Sequence, residues 1–352
     1  MKGFGFREHG GPDRLAYVEV PTPTTGPGEV RVRLRAAGFN RLDRFVLAGL
    51  PGVPIARPHV LGSDGAGVVE SLGEGVEDLR VGERVLLNPG LWDGTCDACR
   101  AGLEAMCRQY RIVGEHTQGT VGEFVVVPRR NVHPLPERLS MVEGAAAPLV
   151  FQTVWRALRT VGGLVAGERV AVIGAGGGTT TAAIQVARYL GGRVAVVSRS
   201  AGKAERARRL GAEAAFVASD ERPIDRLLWE WSDKRGVDLV FDSAGAATVP
   251  RSVKALARGG RVVVIGATTG PLVEVDLRTL FWRQASIRGS TMAGRAEFDD
   301  VLRVLARGEL RPVLDSEWPY ARAGEAFQRL ESPELFGKVV VTLDDLEPGG
   351  AP

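Results

Sequence analysis

The sequence predicts an α/β protein in which a doubly wound parallel sheet accompanies a β-rich, barrel-like domain. Three observations predict it. Short stretches of period-two alternation, punctuated by Gly and Pro, fill about the first 130 residues, as in compact antiparallel barrels. From residue 169 onward strands alternate with helices, the pattern of βαβ units with a parallel sheet. A Gly-rich turn separates the first of those strands from its helix. A length of 352 residues suits two such domains.

The elements follow in chain order. Val30-Arg31-Val32-Arg33-Leu34 alternates with period two, as do the stretches around Gly67-Val68-Val69 and Glu123 to Val127, so each buries one face. Pro21 to Gly28 reads as a rigid loop; its Pro-x-Pro spacing, which an SH3-type ligand would share, is the lesser reading. Near residue 140 the texture changes. Val142 to Leu158 is Ala-rich and apolar at helical spacing, with Pro148 expected to interrupt it. Arg169 to Ile173 reads as a buried parallel strand. Helix Ala182 to Leu190, strand Arg193 to Val197, helix Lys203 to Leu210 and strand Asp238 to Asp242 follow. Helix Val249 to Arg258 and strand Arg261 to Ile265 continue the alternation. A helix over Glu297 to Ala306 and a last strand, Lys338 to Leu343, come after residue 290. The tail Asp344 to Pro352 is expected to fray. The domains so drawn are 1–150 with 296–352, and 151–295.

Composition excludes several classes. Basic residues number 45 and acidic ones 42, with 44% hydrophobic residues, too apolar and too nearly neutral for general disorder. No apolar run reaches the ~18 residues of a membrane span. Met1-Lys2-Gly3-Phe4 opens no secretory h-region, so a cytoplasmic location is the expectation. The basic residues are dispersed, so no nucleic-acid partner is expected.

Two local patterns carry chemistry. In Ile173-Gly174-Ala175-Gly176-Gly177-Gly178-Thr179-Thr180-Thr181, glycines let the backbone approach a pyrophosphate, and the following helix offers free N–H groups and the positive end of its dipole. The alignment is ambiguous by one residue, placing Thr179 or Thr180 near the usual third glycine. The next strand ends in Ser198-Arg199-Ser200, with Lys203 beyond. An acidic residue here would bind the ribose hydroxyls of NAD; hydroxyls and a guanidinium favour a 2′-phosphate through charge-assisted bonds, and hence NADPH. A solvated surface arginine is the competing reading of Arg199. The three cysteines all fall within twelve residues, as Cys96-x2-Cys99-x7-Cys107. A cytosolic chain does not use them as a disulfide framework. A closed zinc site wants four ligands, and stepping back by the same interval adds Asp93. The alternative leaves Asp93 a turn residue beside reduced thiols.

These residues together resemble the medium-chain dehydrogenase/reductase superfamily, the group of zinc alcohol dehydrogenases and quinone oxidoreductases. The resemblance also rests on Gly26 to Val30, Ala37 to Asp43, Pro58 to Val69, Val81 to Val85 and Gly337 to Val341, and covers nearly the whole chain. It implies a GroES-like catalytic domain and a Rossmann dinucleotide-binding domain. It also implies one structural zinc, whose family ligands are usually four cysteines, with Asp93 here in the first place. The family's phosphate loop maps onto Ala175, Gly177, Gly178 and Thr180. Gly266 and Ala267 join the cofactor contacts by the same resemblance, and Lys338 falls where the family often has a basic residue near the pyrophosphate.

At the catalytic zinc this sequence departs from the pattern. Asn40 stands in place of a cysteine, Ser63-Asp64 in place of His-Glu, and the third ligand would fall near Leu149. Amide, hydroxyl and hydrocarbon make a poor zinc site. Asn40-x2-Asp43 instead resembles the quinone oxidoreductase branch, which needs no catalytic metal. The resemblance places Asn40 and Thr153 along the nicotinamide pocket, with Asp43 orienting Asn40 or a neighbouring backbone group. No residue stands out as the proton donor; water can serve.

The expected activity is therefore NADPH-dependent hydride transfer to a quinone or an α,β-unsaturated carbonyl. The alternatives are a zinc alcohol dehydrogenase with ligands such as Asp64, Glu115 or His116, and a non-catalytic NADPH-binding sensor. His59 is expected to pack or cap within its turn. A homodimer or homotetramer is implied, with a strand near Ala285 to Gly289 pairing across subunits.

Overall fold

A computed structural model describes residues 1–346. The chain divides into Met1–Leu149 with the segment from Gly294 onward, and Val150–Ala293.

In the first unit, β1 (Lys2–Phe6) pairs antiparallel with β2 (Leu15–Glu19). The larger sheet contains β3 (Glu29–Gly38), β5 (Asp64–Leu72), β6 (Arg84–Leu87), β9 (Phe124–Pro128), β10 (Val132–Pro134), β17 (Leu314–Pro319) and β18 (Lys338–Thr342). Its order is β10-β6-β5-β3-β18-β17, with β9 also on β3, and the short β4 (His59–Val60) joins β1. Alternation does the work expected of it. Val30, Val32 and Leu34 of β3 are buried, while the arginines between them are half-buried. The inward faces form one apolar core with Phe4, Phe6, Phe39 and Phe327.

Register then sets up the site. Gly38, ending β3, lies opposite Asp64, opening β5. Val340 of β18 lies opposite Gly38 from the other side. The ends of three adjacent strands thus deliver residues 40, 64 and 338 to one place. Helix α1 (Arg41–Ala48) follows β3 directly, with Asn40 as its N-cap.

A side lobe holds hairpin β7 (Gly90–Leu91) and β8 (Arg111–Ile112), with the single turn α2 (Asp97–Arg100) between them. The predicted long helix is divided as Pro148 demands, into α3 (Met141–Ala146) and α4 (Pro148–Trp155). Ser140 and Glu143 close α3 with a capping box.

The second unit has six parallel strands in the order β13-β12-β11-β14-β15-β16. They are β11 (Arg169–Ile173), β12 (Arg193–Ser198), β13 (Ala214–Val217), β14 (Val237–Asp242), β15 (Leu256–Val264) and β16 (Ser286–Gly289). Helices α5 (Gly178–Tyr189), α6 (Ala201–Arg209), α7 (Ile224–Trp231), α8 (Val249–Ala255) and α9 (Leu277–Trp282) connect them. This is the Rossmann order, with its switch point between β11 and β14.

Some boundaries differ from expectation. Helix α5 begins at Gly178, four residues before Ala182, because Gly177 already serves as N-cap. Helix α8 stops at Ala255 and not Arg258, because Leu256 starts pairing with Val237 before a bulge carries the register to Arg261. Helix α10 (Arg295–Arg307) and helix α11 (Ala323–Arg329) complete the first unit. The expected fraying begins too early: Asp344–Leu346 form a 3-10 turn, and the remainder of that tail lies outside the described residues.

Candidate functional site

The three strand ends of the first unit bring together an ammonium, a carboxylate and a carboxamide. Lys338, Asp64 and Asn40 are 3%, 0% and 7% exposed. The Lys338 Nζ donates to Asn40 Oδ1 at 2.6 Å and to Asp64 Oδ2 at 2.8 Å. Asn40 Nδ2 donates to the same Asp64 oxygen at 2.8 Å, and the Leu149 N–H donates to Asp64 Oδ1 at 2.7 Å. Asn40 and Asp64 are therefore both tied to an ammonium. Breaking such a buried pair by removing one partner costs ~3–5 kcal/mol, because the other charge is left uncompensated.

Asp43 supports this arrangement from below. It is fully buried at N3 of α1, and its carboxylate accepts the Asn40 N–H and the Gly62 N–H, each at 2.7 Å. Burial pushes its carboxyl up to about 6, against the pull of those two bonds and of Lys338. Asp43 thus holds the backbone of Asn40. Ser63 is buried and its hydroxyl has no partner among the described residues.

In the second unit the Gly-rich turn links β11 to α5. Gly174 has φ +91°, in the left-handed region that glycine adopts without strain. Gly177 caps α5 with no side-chain bond, so the first-turn N–H groups keep their capacity for an anion. Thr180 is buried and turns its hydroxyl back to the Gly177 carbonyl at 2.9 Å. Ser198 ends β12, and its Oγ accepts the Ser200 N–H at 3.1 Å. Ser200 caps α6, accepting from the Lys203 N–H at 3.4 Å. Both serines therefore shape the turn. Arg199 between them is exposed and has no ion-pair partner among the described residues. Gly266 and Ala267 follow β15 on the carboxyl side of the same sheet.

Thr153 lies on α4, 6% exposed, and its hydroxyl contacts Met292 Sδ at 3.7 Å. Asp242 is a buried carboxylate that sequence reasoning did not single out. Fully buried at the end of β14, it accepts the Ala244 and Gly245 N–H groups and the hydroxyls of Thr248 and Ser252, pinning the loop after that strand.

The cysteine lobe assembles as a ligand set. One oxygen of Asp93 and the sulfurs of Cys96, Cys99 and Cys107 lie within 4.8 Å of one another. Tetrahedral zinc with bonds of ~2.0–2.3 Å separates its ligand atoms by roughly 3.3–3.8 Å, so the set fits the ion with some contraction. The second oxygen of Asp93 accepts the Thr95 and Cys96 N–H groups at 2.6 and 2.7 Å, which aims the carboxylate. The Cys107 thiol and these N–H groups hold the Asp93 carboxyl well below its usual range, while burial pushes the Cys99 thiol up to about 12. A cation would replace that shared thiol proton.

Among the described residues this is the one grouping of three or more His, Cys, Asp or Glu side chains close enough for a metal. Asp64, Glu115 and His116 are not brought together as such a set. The His116 Nδ1 accepts the Ile112 N–H at 3.2 Å. His59 is buried and its Nε2 bonds the Gly114 carbonyl at 2.9 Å, a packing role.

A dinucleotide-binding sheet, a barrel and a buried polar site near the barrel's strand ends define a nicotinamide-dependent oxidoreductase. The comparisons agree. Residues 26–137 match the alcohol dehydrogenase GroES-like domain, and residues 178–307 match the zinc-binding dehydrogenase family. The acryloyl-coenzyme A reductase of Metallosphaera sedula is 32% identical over 92% of this chain and 95% of its own. The quinone oxidoreductase of Mus musculus is 29% identical over 97% and 98%. The crystal structure of an NAD-dependent alcohol dehydrogenase superposes with TM-score 0.91 at 40% identity, covering 97% of this chain and all of that one. The chain belongs to the medium-chain dehydrogenase/reductase superfamily. No helix among the described residues is long and apolar enough to cross a membrane.

Proposed function

We propose that this oxidoreductase uses NADPH to reduce a quinone or an α,β-unsaturated carbonyl compound, without a catalytic zinc. The observation that carries the proposal is the Asn40–Asp64–Lys338 cluster. An amide, an ammonium and a carboxylate already paired with that ammonium offer a divalent cation little. Without a Lewis acid, nothing lowers the pKa of a simple alcohol's hydroxyl. An electron-poor acceptor needs less assistance.

NADPH supplies the hydride when bound. The carbon of the acceptor that receives it gains a C–H bond, and the displaced π electrons move to the conjugated oxygen. Asn40, at the edge of the cluster, is the donor that stabilises the oxygen as its charge develops. Asp43 holds Asn40 in place, Thr153 lines the nicotinamide side, and water returns the proton. The Ala175 to Thr180 turn receives the pyrophosphate, with Gly266 and Ala267 as further contacts. Ser198, Arg199, Ser200 and Lys203 select the 2′-phosphate. The relatives named for quinone and acryloyl-coenzyme A reduction support this acceptor chemistry. Asp93, Cys96, Cys99 and Cys107 hold one structural zinc.

The edge strand β16 is the proposed subunit contact of a homodimer or tetramer. Ile287 on that strand and Leu277, Phe281 and Trp282 on the helix before it are exposed. The working test is a screen of NADPH oxidation over quinones, enones and aldehydes. Turnover of the first two classes is expected; turnover of none across the panel would leave the sensor reading in its place.

A further inference from the structure

The position of Lys338 has a consequence for how the site works. Its ammonium has three donors. Two are committed to Asn40 Oδ1 and Asp64 Oδ2, and the group is 3% exposed. Replacing a buried ion pair by apolar side chains of similar volume is often neutral or stabilising, so stability alone gives little reason for this one. Its geometric effect is larger. The Asn40 carboxamide is gripped at both ends: its oxygen by the ammonium, and one Nδ2–H by Asp64. A 180° flip of the amide would set its NH2 against the ammonium and its oxygen against the carboxylate, so the orientation is locked by two charges. The second Nδ2–H has only a 3.4 Å contact with the Gly38 carbonyl, too long to hold it firmly.

We propose that Lys338 is a positioning residue: its ammonium, anchored by Asp64, locks and polarises the Asn40 carboxamide so that the second Nδ2–H is kept for the acceptor's oxygen. The fixed cation that a metal would bring to such a site is here part of the chain, and it acts through the amide. This rests on the proposed reductase reading. Bound NADPH would supply the hydride to the acceptor carbon, and the oriented N–H would meet the oxygen to which the π pair shifts. Water would return the proton, so the hydride's two electrons and hydrogen together with that proton account for the reduction. The ammonium keeps its protons throughout.

The test is Lys338→Met, with folding checked by circular dichroism and thermal unfolding. The expected result is a fall in kcat of about 100-fold, in line with the loss of a preorganised oxyanion donor. The KM for NADPH should change less than threefold, and Lys338→Arg, which keeps the charge, should recover at least tenfold of the lost kcat. An unchanged kcat overturns the inference. So does a loss confined to a tenfold or greater rise in the NADPH KM, which would make Lys338 a phosphate contact. If Lys338→Met does not fold, Lys338→Gln carries the same readings.

A second readout does not depend on the acceptor. The sequence has only three asparagines, Asn40, Asn88 and Asn131, so their side-chain amides resolve in a ¹⁵N-asparagine spectrum. Solvent exchange of the Asn40 amide protons should be at least tenfold faster in the Lys338 variant, and equal rates overturn the lock. If wild-type protein reduces no quinone or enone, the reductase reading fails while this exchange measurement still decides the positioning role.

Discussion

Arg199→Ala should separate the two nicotinamide cofactors. Arg199 follows the end of β12, is exposed, and has no ion-pair partner among the described residues. No internal bond has to break for it to reach a 2′-phosphate, and none is lost when it is removed. Charge-assisted hydrogen bonds contribute about 1.5–3 kcal/mol, and solvent screening at an exposed position cuts that to roughly 1–2 kcal/mol. The KM for NADPH should therefore rise roughly 5- to 30-fold, at 1.4 kcal/mol per factor of ten. The KM for NADH should stay within twofold, because NADH has no phosphate there. The interaction lies far from the reacting carbon and is equal in ground and transition states, so kcat should not move. Steady-state kinetics with both cofactors and a fixed saturating acceptor measure all of this. A parallel rise for NADH, a fall in kcat, or wild-type activity that is equal with the two cofactors would refute the reasoning.

Other outcomes follow from the same structure. Stripping zinc with a chelator, or Cys107→Ser, should unfold the lobe between β7 and β8 at lower temperature and lower the measured zinc to below one per chain; an unchanged melting profile would mean the lobe holds itself. Arg261 is buried, donates to Glu168 at 2.6 and 2.7 Å, and also bonds the Gly162, Gly163 and Asp238 carbonyls. Arg261→Leu should cost ~2–3 kcal/mol in denaturant unfolding by leaving the Gly162 and Asp238 carbonyls and the half-buried Glu168 carboxylate without their donor, and a loss below 1 kcal/mol would contradict that. His133 is held down to about 4 by burial, with the Arg129 charge adding to the effect. Its neutral form is the stable folded form, so the stability it contributes is complete above the ordinary histidine pKa of ~6.5 and is lost as pH falls from there towards 4, by up to ~3 kcal/mol. His133→Gln should flatten that part of the stability–pH curve; an unchanged slope would assign it to other groups.

Much of this was legible in the sequence because it is local. Alternation fixed the inward face of β3, and Pro148 divided a helix where its missing N–H requires. The spacing of Asp93, Cys96, Cys99 and Cys107 already described a ligand set, since a few residues of loop suffice to close it. The Gly-rich turn was legible for the same reason. Boundaries failed where tertiary pairing prevailed over propensity, as at Leu256, which leaves a helical pattern to pair with Val237. The cluster of Asn40, Asp64 and Lys338 was only half visible. Resemblance drew attention to Asn40 and suggested a pyrophosphate contact for Lys338, while the bond from Lys338 to Asp64 was not foreseen. The bond between Lys338 and Asp64 spans 274 residues, and no local pattern carries that information. The available signal was the chemistry of the set: an acid beside the position of a family metal ligand, and a lysine opening a strand otherwise apolar from Val339 to Val341. Asp242 was hidden in the same way, a polar residue ending a hydrophobic strand, whose four donors come from the loop after it and the start of α8.

The most direct test is to measure bound zinc and NADPH-dependent turnover on one preparation of the wild-type protein. One zinc per chain, with quinone or enone reduction that exceeds alcohol oxidation and persists when no second metal is present, is the predicted result. Two zincs per chain, with alcohol oxidation that disappears when the second is removed, would contradict it.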